Sequence, residues 1–552
     1  MQKLRWQLLI VLLALAIIAA LLLGEQPTVL QPEIGTTPAP ASGGAYTEAL
    51  IGAPGRFNPT LDFYNPIDRD VNRLIFSALV RFDDRGLPQP DLAESWGVTR
   101  DGTTYNFAIR PNAIWHDGAP VTAQDVIFTI ELLRDPNYPV REDVRALWQT
   151  IDVRLLDDLT VQFRLPEPFA PFLDYLTFGI LPRHLLSNTA PADLVNHPFN
   201  LAPVGSGPFA YESLLLSGET ITGVTLRAFE GYYGGRPLLD TFTFRYYPDA
   251  ESALAAYRTA EVDGISQIPL DILTQALAEP ELNLYTGRLP QTSMILFNLQ
   301  NADVPFLQES SVRRALLMGL NRQWMIDSLL QGQAILAHGP VFPGTWAYFE
   351  NTPQIAYNPN DATTLLRRAG YTIPAEGGNV RAKEGVALAF ELLHPDDAQH
   401  TALAEAIQAD WARLGVQITL KAVPYTELIQ NYLVTHNYQA VLLDVNLAGS
   451  PDPDPYPFWH QAQIAEGQNY AQWDDRQASE YLEQARITVD LQERARLYGN
   501  FQVRFANELP ALPLFYPVYR YGVAARIGGV SMGPLFDPAD RLNGVTQWYV
   551  KP

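Results

Sequence analysis

From Ala45 onward the hydrophobic positions switch between a period of about two and one of about 3.6, with no fixed repeat, which predicts strands and helices intermixed in an α/β fold. Tyr105, Phe107 and Ile109 alternate with Asn106, Ala108 and Arg110, and Val161, Phe163 and Leu165 alternate with Gln162 and Arg164. Each set predicts a half-buried strand, because successive strand side chains point to opposite faces. Thr122-Ala123-Gln124-Asp125, just ahead of Val126, Ile127 and Ile130, predicts a helix start whose hydroxyl and carboxylate take up free N–H groups. Leu403, Ile407, Trp411 and Leu414 share a helical face that stops at Gly415, and Val416, Ile418 and Leu420 then alternate as a strand. Residues 361–369, 478–488 and 491–507 predict further helices, and Arg313-Arg314 open another, with arginines suited to its surface or to structural ion pairs. Residues 451–457 carry proline at every second position, fit neither period and predict a loop.

Ahead of this α/β stretch, Lys3 and Arg5 precede an uninterrupted apolar run over residues 8–23 that opens into Gly24-Glu25, the order of an export signal. The run is slightly short of the ~20 residues a spanning helix needs, so a cleaved signal and an uncleaved membrane anchor both fit. The lack of a small-x-small cleavage pattern favours the anchor. Leu22-Leu23-Gly24 resembles the start of a lipoprotein signal, but Glu25 stands where the lipidated cysteine belongs, so a Cys-linked lipoprotein is not expected. Residues 25–44 are rich in Pro, Thr, Ser, Gly and Ala and predict a flexible tether. The expected location is extracytoplasmic.

Composition narrows the function. At 552 residues the chain exceeds the ~250–300 at which single cores stop growing, so more than one domain is expected. Its 38 Lys+Arg against 60 Asp+Glu leave a net charge of −22, which argues against nucleic-acid partners. With no cysteine there are no disulfides, thiolate metal sites or thiol nucleophiles. The 8 histidines show no metal-ligand spacing, Gly205-Ser206-Gly207 lacks the spacing of a nucleophile elbow, and no phosphate loop is present. No cofactor or metal is expected, and an exported hydrolase using Asp452 and Asp454 as its carboxylate pair is the weaker rival.

Several phrases together resemble the solute-binding proteins of family 5, extracytoplasmic receptors of ABC importers. The resemblance begins at Ile75-Phe76-Ser77-Ala78-Leu79-Val80 and Pro90-Asp91-Leu92-Ala93-Glu94-Ser95-Trp96. It peaks at Trp115-His116-Asp117-Gly118-Ala119-Pro120-Val121-Thr122-Ala123-Gln124-Asp125-Val126. It continues through Pro203-Val204-Gly205-Ser206-Gly207-Pro208-Phe209, Glu261-Val262-Asp263, Phe297-Asn298 and Asp452-Pro453-Asp454-Pro455-Tyr456, and covers roughly residues 50–520 in the family's order.

The resemblance implies a two-lobed, periplasmic-binding-protein-like (type II) α/β fold with a hinge and an interlobe ligand cleft. Residues 45–290 and 515–552 would form a discontinuous first lobe, with an inserted subdomain at about 60–200, and residues 291–514 the second. It implies a monomeric, non-enzymatic receptor that captures peptides, or alternatively a nickel chelate or oligosaccharide, and hands them to an ABC permease. In related receptors an Asp within Trp-x-Gly-Asp-x-x-Asp-Pro pairs with the ligand's α-ammonium. Aligning Asp452-Pro453 with that final Asp-Pro puts Gly449 at the position of this Asp and Asn446 at that of the Trp. Asp452 or Asp454 would then substitute, with the alternative that both cap a turn and face solvent. Asn58, Tyr456 and Trp459 complete the expected ligand set. His460 is a possible chelate ligand, a surface imidazole being the alternative. Trp115, His116, Asp117, Gly118, Gly205 and Gly207 are expected to maintain the fold, the first four as a packed hairpin.

Overall fold

The computed structural model describes residues 40–375, 377–447, 449 and 451–552. The export segment and most of the tether lie outside the described residues. Among the described residues no helix is long and apolar enough to cross a membrane.

A twelve-stranded sheet runs through both lobes. Its shared member is the 14-residue strand Ala511–Ala524. Over 511–515 this strand pairs antiparallel with Gln291–Phe297, and over 518–524 with Leu282–Arg288. Beyond Gln291–Phe297 lie Ala440–Asn446, Ala389–Pro395 and Gln417–Val423; on the other side lie Gly264–Ile265, Ala45–Ile51, Thr241–Tyr247 and the hairpin Phe209–Ser217/Thr220–Ala228. The chain therefore crosses between lobes at two adjacent places, at Leu289-Pro290 and inside the shared strand. Leu289 N–H bonds Pro517 O there (2.9 Å). Two short crossings thus lie side by side. Separate apolar clusters fill the halves, one around Phe390, Trp411 and Leu512 and another around Tyr46, Phe242 and Trp548.

A third cluster packs under the four-stranded antiparallel sheet Ala93–Val98, Thr104–Ile109, Thr160–Arg164, Asp152–Asp157. Its centre is Phe107, Phe163, Trp115 and Trp148, all fully buried, so the alternation at 105–109 and 161–165 marks the core face as expected. Helix Ala123–Arg134 follows, with a Thr122/Asp125 capping box in which Asp125 accepts the Thr122 N–H (2.8 Å).

The Trp115-His116-Asp117-Gly118 phrase is a tight turn, with Gly118 N–H on Trp115 O and Gly118 at φ +91, a conformation other residues rarely adopt. His116 holds the 205–207 segment from both ring nitrogens. Nδ1 accepts the Gly205 N–H (3.1 Å), Nε2 donates to Gly207 O (3.1 Å), and burial lowers the imidazole pKa to about 4, so it stays neutral. Gly205 in turn lies against the last turn of helix Pro66–Ile75, where a Cβ would come 1.9 Å from the Ile75 carbonyl oxygen. Gly205→Ala is expected to cost about 3 kcal/mol by overpacking against backbone. Gly97→Ala, where a Cβ meets no atom within 4 Å, is expected to stay within about 0.5 kcal/mol of wild type in urea unfolding.

Two local expectations need correction. Residues 451–457 are not wholly a loop: Tyr456–Trp459 forms one helical turn with Pro455 as its N-cap, and Pro457 fits because the first turn needs no intrahelical N–H. Arg313 is neither on the surface nor in an ion pair; it is buried and donates to the carbonyls of Leu307, Glu508 and Leu509, closing the end of helix Leu491–Glu508.

Candidate ligand cleft

Between the lobes lies a cavity of about 1020 Å³, at the upper end of the ~300–1,000 Å³ usual for ligand pockets. One wall carries Asp62, Arg69, Asp91, Asp174 and Tyr233; the facing wall carries the 446–454 loop and Arg486. The walls meet through main-chain and side-chain contacts. Asp452 N–H donates to Asp174 (3.0 Å), Gly449 N–H to Phe536 O (2.7 Å) and Trp346 N–H to Arg85 O (3.0 Å), while the Arg486 guanidinium lies over the Phe169 ring (5.6 Å). In this conformation the lobes are closed on each other.

The loop follows strand Ala440–Asn446, at the end of an α/β strand where ligands commonly sit. Asp452, Asp454 and Gly449 reach the cleft wall. Asp452 does cap its own turn, accepting the Asp454 N–H (3.2 Å), but neither carboxylate is left to solvent. Asp452 is buried in an ion pair with Arg494 (2.7 Å), and the Tyr498 hydroxyl donates to its second oxygen (3.3 Å). Asp454 takes both Nε and Nη2 of Arg486 (3.0 and 2.6 Å). Burial raises the Asp452 pKa and the Arg494 charge opposes that rise. The charge of each carboxylate is thus already matched by an arginine of helix Arg476–Ile487 or Leu491–Glu508.

Three expected ligand residues lie outside the wall. Asn58 is buried, donating to Asn200 Oδ1 (3.1 Å) and accepting from Thr60. Trp459 is buried edge-on against Phe505 (4.8 Å between centroids). Tyr456 is sandwiched between the His460 ring (4.0 Å) and the Arg486 guanidinium (3.8 Å). His460 is not a surface imidazole: it is 4% exposed, with Nε2 on Glu483 (2.9 Å) and Nδ1 accepting the Ala462 N–H. Among the described residues no group of three or more His, Asp or Glu could hold a metal ion.

Sequence reasoning missed Asp174 altogether. It sits on the 3-10 helical segment Ala170–Leu176, half-buried in the cleft wall, with its carboxyl pKa pushed well up by burial and by the nearby Asp452. The one signal available was a lone acid inside the otherwise apolar run Phe172-Leu173-Asp174-Tyr175-Leu176.

Comparison with known proteins places this geometry. The chain is 26% identical over 519 residues to the oligopeptide-binding protein AppA of Bacillus subtilis, covering 93% of this chain and 92% of that one. It is likewise 26% identical over 510 residues to the dipeptide-binding protein of Escherichia coli, covering 88% and 91%. The solved structure of the Bacillus AppA in complex with a nonapeptide superposes with a TM-score of 0.68 at 25% identity, covering 93% of this chain and all of that one. Residues 88–466 match the model of the bacterial extracellular solute-binding proteins, family 5, and the chain belongs to that family.

Proposed function

We propose that this protein captures peptides of several residues between its closing lobes and delivers them to an ABC permease. The observation that carries the reading is the two-walled cleft of about 1020 Å³, whose lining includes Gly179, Gly234 and Gly449, positions with only main chain to offer, as well as polar side chains. A peptide closed between the lobes must find partners for its backbone N–H and C=O groups, each costing about 1–3 kcal/mol if left unmet. Capture then follows from linkage: a ligand touching both walls favours the closed state by its differential affinity for the two conformations. The cycle needs no covalent step and no cofactor. Residues 45–290 with 515–552 act as one lobe and 291–514 as the other, the protein works as a monomer outside the cytoplasm, and residues 8–23 hold it at the membrane close to its permease. Asp452, Asp454 and Gly449 shape the ligand-facing loop. A chelate ligand has less support, because both nitrogens of His460 are committed.

Native mass spectrometry of the purified protein challenged with a pool of di- to hexapeptides tests this. Adducts matching peptides, enriched at four residues and above, are expected. A protein that retains no peptide mass from the pool refutes the reading.

A further inference from the structure

Around the 452–454 loop three carboxylates meet two guanidiniums. Asp454 is taken by Arg486 and Asp452 by Arg494. Among the described residues Asp174, on the opposite wall, has no ion pair, and the one hydrogen bond its carboxyl accepts is from the Asp452 N–H across the cleft (3.0 Å). The loop and its arginines therefore leave one carboxyl without a cation in ion-pair contact, facing a cavity large enough for a ligand. A second observation comes from the same cavity. Gly449, which also lines it, is at φ +78, and a Cβ placed there would meet no atom within 4 Å, so the facing wall offers no side chain at that position.

Two further cleft carboxyls lack an ion pair, but each is met by a donor from its own wall. Asn72 Nδ2 donates to Asp62 (2.8 Å) and the Tyr233 hydroxyl to Asp91 (2.5 Å). Among the described residues, only at Asp174 does a carboxyl on one wall already bond the other, so a cation held there touches both lobes and gains its contacts upon closure.

We propose that Asp174 receives the positively charged end of the captured solute, an ammonium group, from the wall opposite the 449–454 loop. This rests on the peptide-capture reading. The ammonium lies between the Asp174 carboxyl and the loop main chain, and supplies the cation this carboxyl lacks as the lobes shut. Binding and closure are coupled at this one group.

The test compares two pools of tetra- to hexapeptides built from Gly, Ala, Leu, Phe and Ser, one with free amino termini and one N-acetylated. Each is titrated against the full-length protein and against Asp174→Asn, which keeps an acceptor for the Asp452 N–H. Wild type is expected to prefer the free-amine pool by about 10- to 100-fold, the range of a hydrogen bond to a charged group, and the variant to lose that preference. Asp174→Glu, which restores the charge, should recover part of it. A preference retained in Asp174→Asn overturns the assignment and leaves peptide capture standing. Equal binding of both pools by wild type overturns it without recourse to any variant, even one that folds poorly. Wild type binding neither pool overturns the peptide reading itself, and this inference with it.

Discussion

Arg541→Met is expected to lower the unfolding free energy by about 3–5 kcal/mol, the usual result of removing one partner from a buried ion pair. Arg541 is fully buried and bridges Glu48 of strand Ala45–Ile51 (2.6 Å) and Asp70 of helix Pro66–Ile75 (2.7 Å). Glu48 also accepts the hydroxyls of Tyr46 and Tyr521. Methionine fills much of the same volume, so the loss is one of charge compensation: two carboxylates remain in the core with no cation between them. Arg541 belongs to the turn Pro538–Leu542, and the same turn presents Asp540 to Arg73 (3.1 Å) while its cap Asp537 holds Arg69 (2.5 Å). The C-terminal segment is thereby fastened to the cleft wall, and the variant should lose ligand affinity along with stability. The urea midpoint measures the first effect. Adding Glu48→Gln and Asp70→Asn to Arg541→Met should restore most of the loss, because no buried charge is then left unmatched. Failure of that rescue would point to packing rather than charge.

The pH dependence of this variant has a definite sign. Burial raises the Asp70 pKa and Arg541 opposes the rise, so removing Arg541 lifts it further. A carboxyl whose folded pKa lies above its unfolded value of about 3.9 binds its proton more tightly in the folded state. Its contribution is present below the unfolded pKa and is lost as pH rises through the folded one. The deficit of Arg541→Met against wild type should therefore be smallest in acid and grow towards neutral pH.

What was legible in the sequence, and what was not, divides by the distance over which the physics acts. The strand Thr104–Ile109 and the helix Ala398–Arg413, ending before Gly415 at φ +81, follow from side-chain alternation and from a glycine's freedom to turn left-handed. The Thr122/Asp125 box is equally local. The family phrases placed the cleft loop near residue 452 for the same reason: they are short and contiguous. The charge state of that loop was not legible. Arg486 and Arg494 come from two helices more than thirty residues further on, and nothing periodic announces which carboxylate each will meet. His460 illustrates the same limit. Its neighbour Trp459 marks a buried turn, but only the packing of helix Arg476–Ile487 brings Glu483 to its ring. Asp174 escaped because a 3-10 segment of seven residues is too short to show a period, and its lack of an ion-pair partner is a property of the folded wall.

That redistribution of charge changes what substitutions in the acidic loop should do. Asp452→Asn leaves Arg494 buried beneath the Trp346 ring without its carboxylate, and is expected to cost about 3–5 kcal/mol in urea unfolding. Asp454→Asn should cost less, about 1–3 kcal/mol, because the Arg486 side chain is 25% exposed and water can replace part of the lost partner. If these carboxylates read the ligand's ammonium directly, either substitution would weaken free-amine peptides far more than N-acetylated ones. With both already matched by arginines, the loop is expected to act through its position. The double substitution should weaken both classes of peptide by a similar factor, because the Asp452 and Gly449 N–H groups that join the walls lose their support. Affinity for free and acetylated peptides, measured on the double variant beside its unfolding curve, separates the two cases. A selective loss for free amines at unchanged stability would return the ammonium to Asp452 or Asp454, whereas a parallel loss with lowered stability leaves the selective contact to a carboxylate no arginine has claimed.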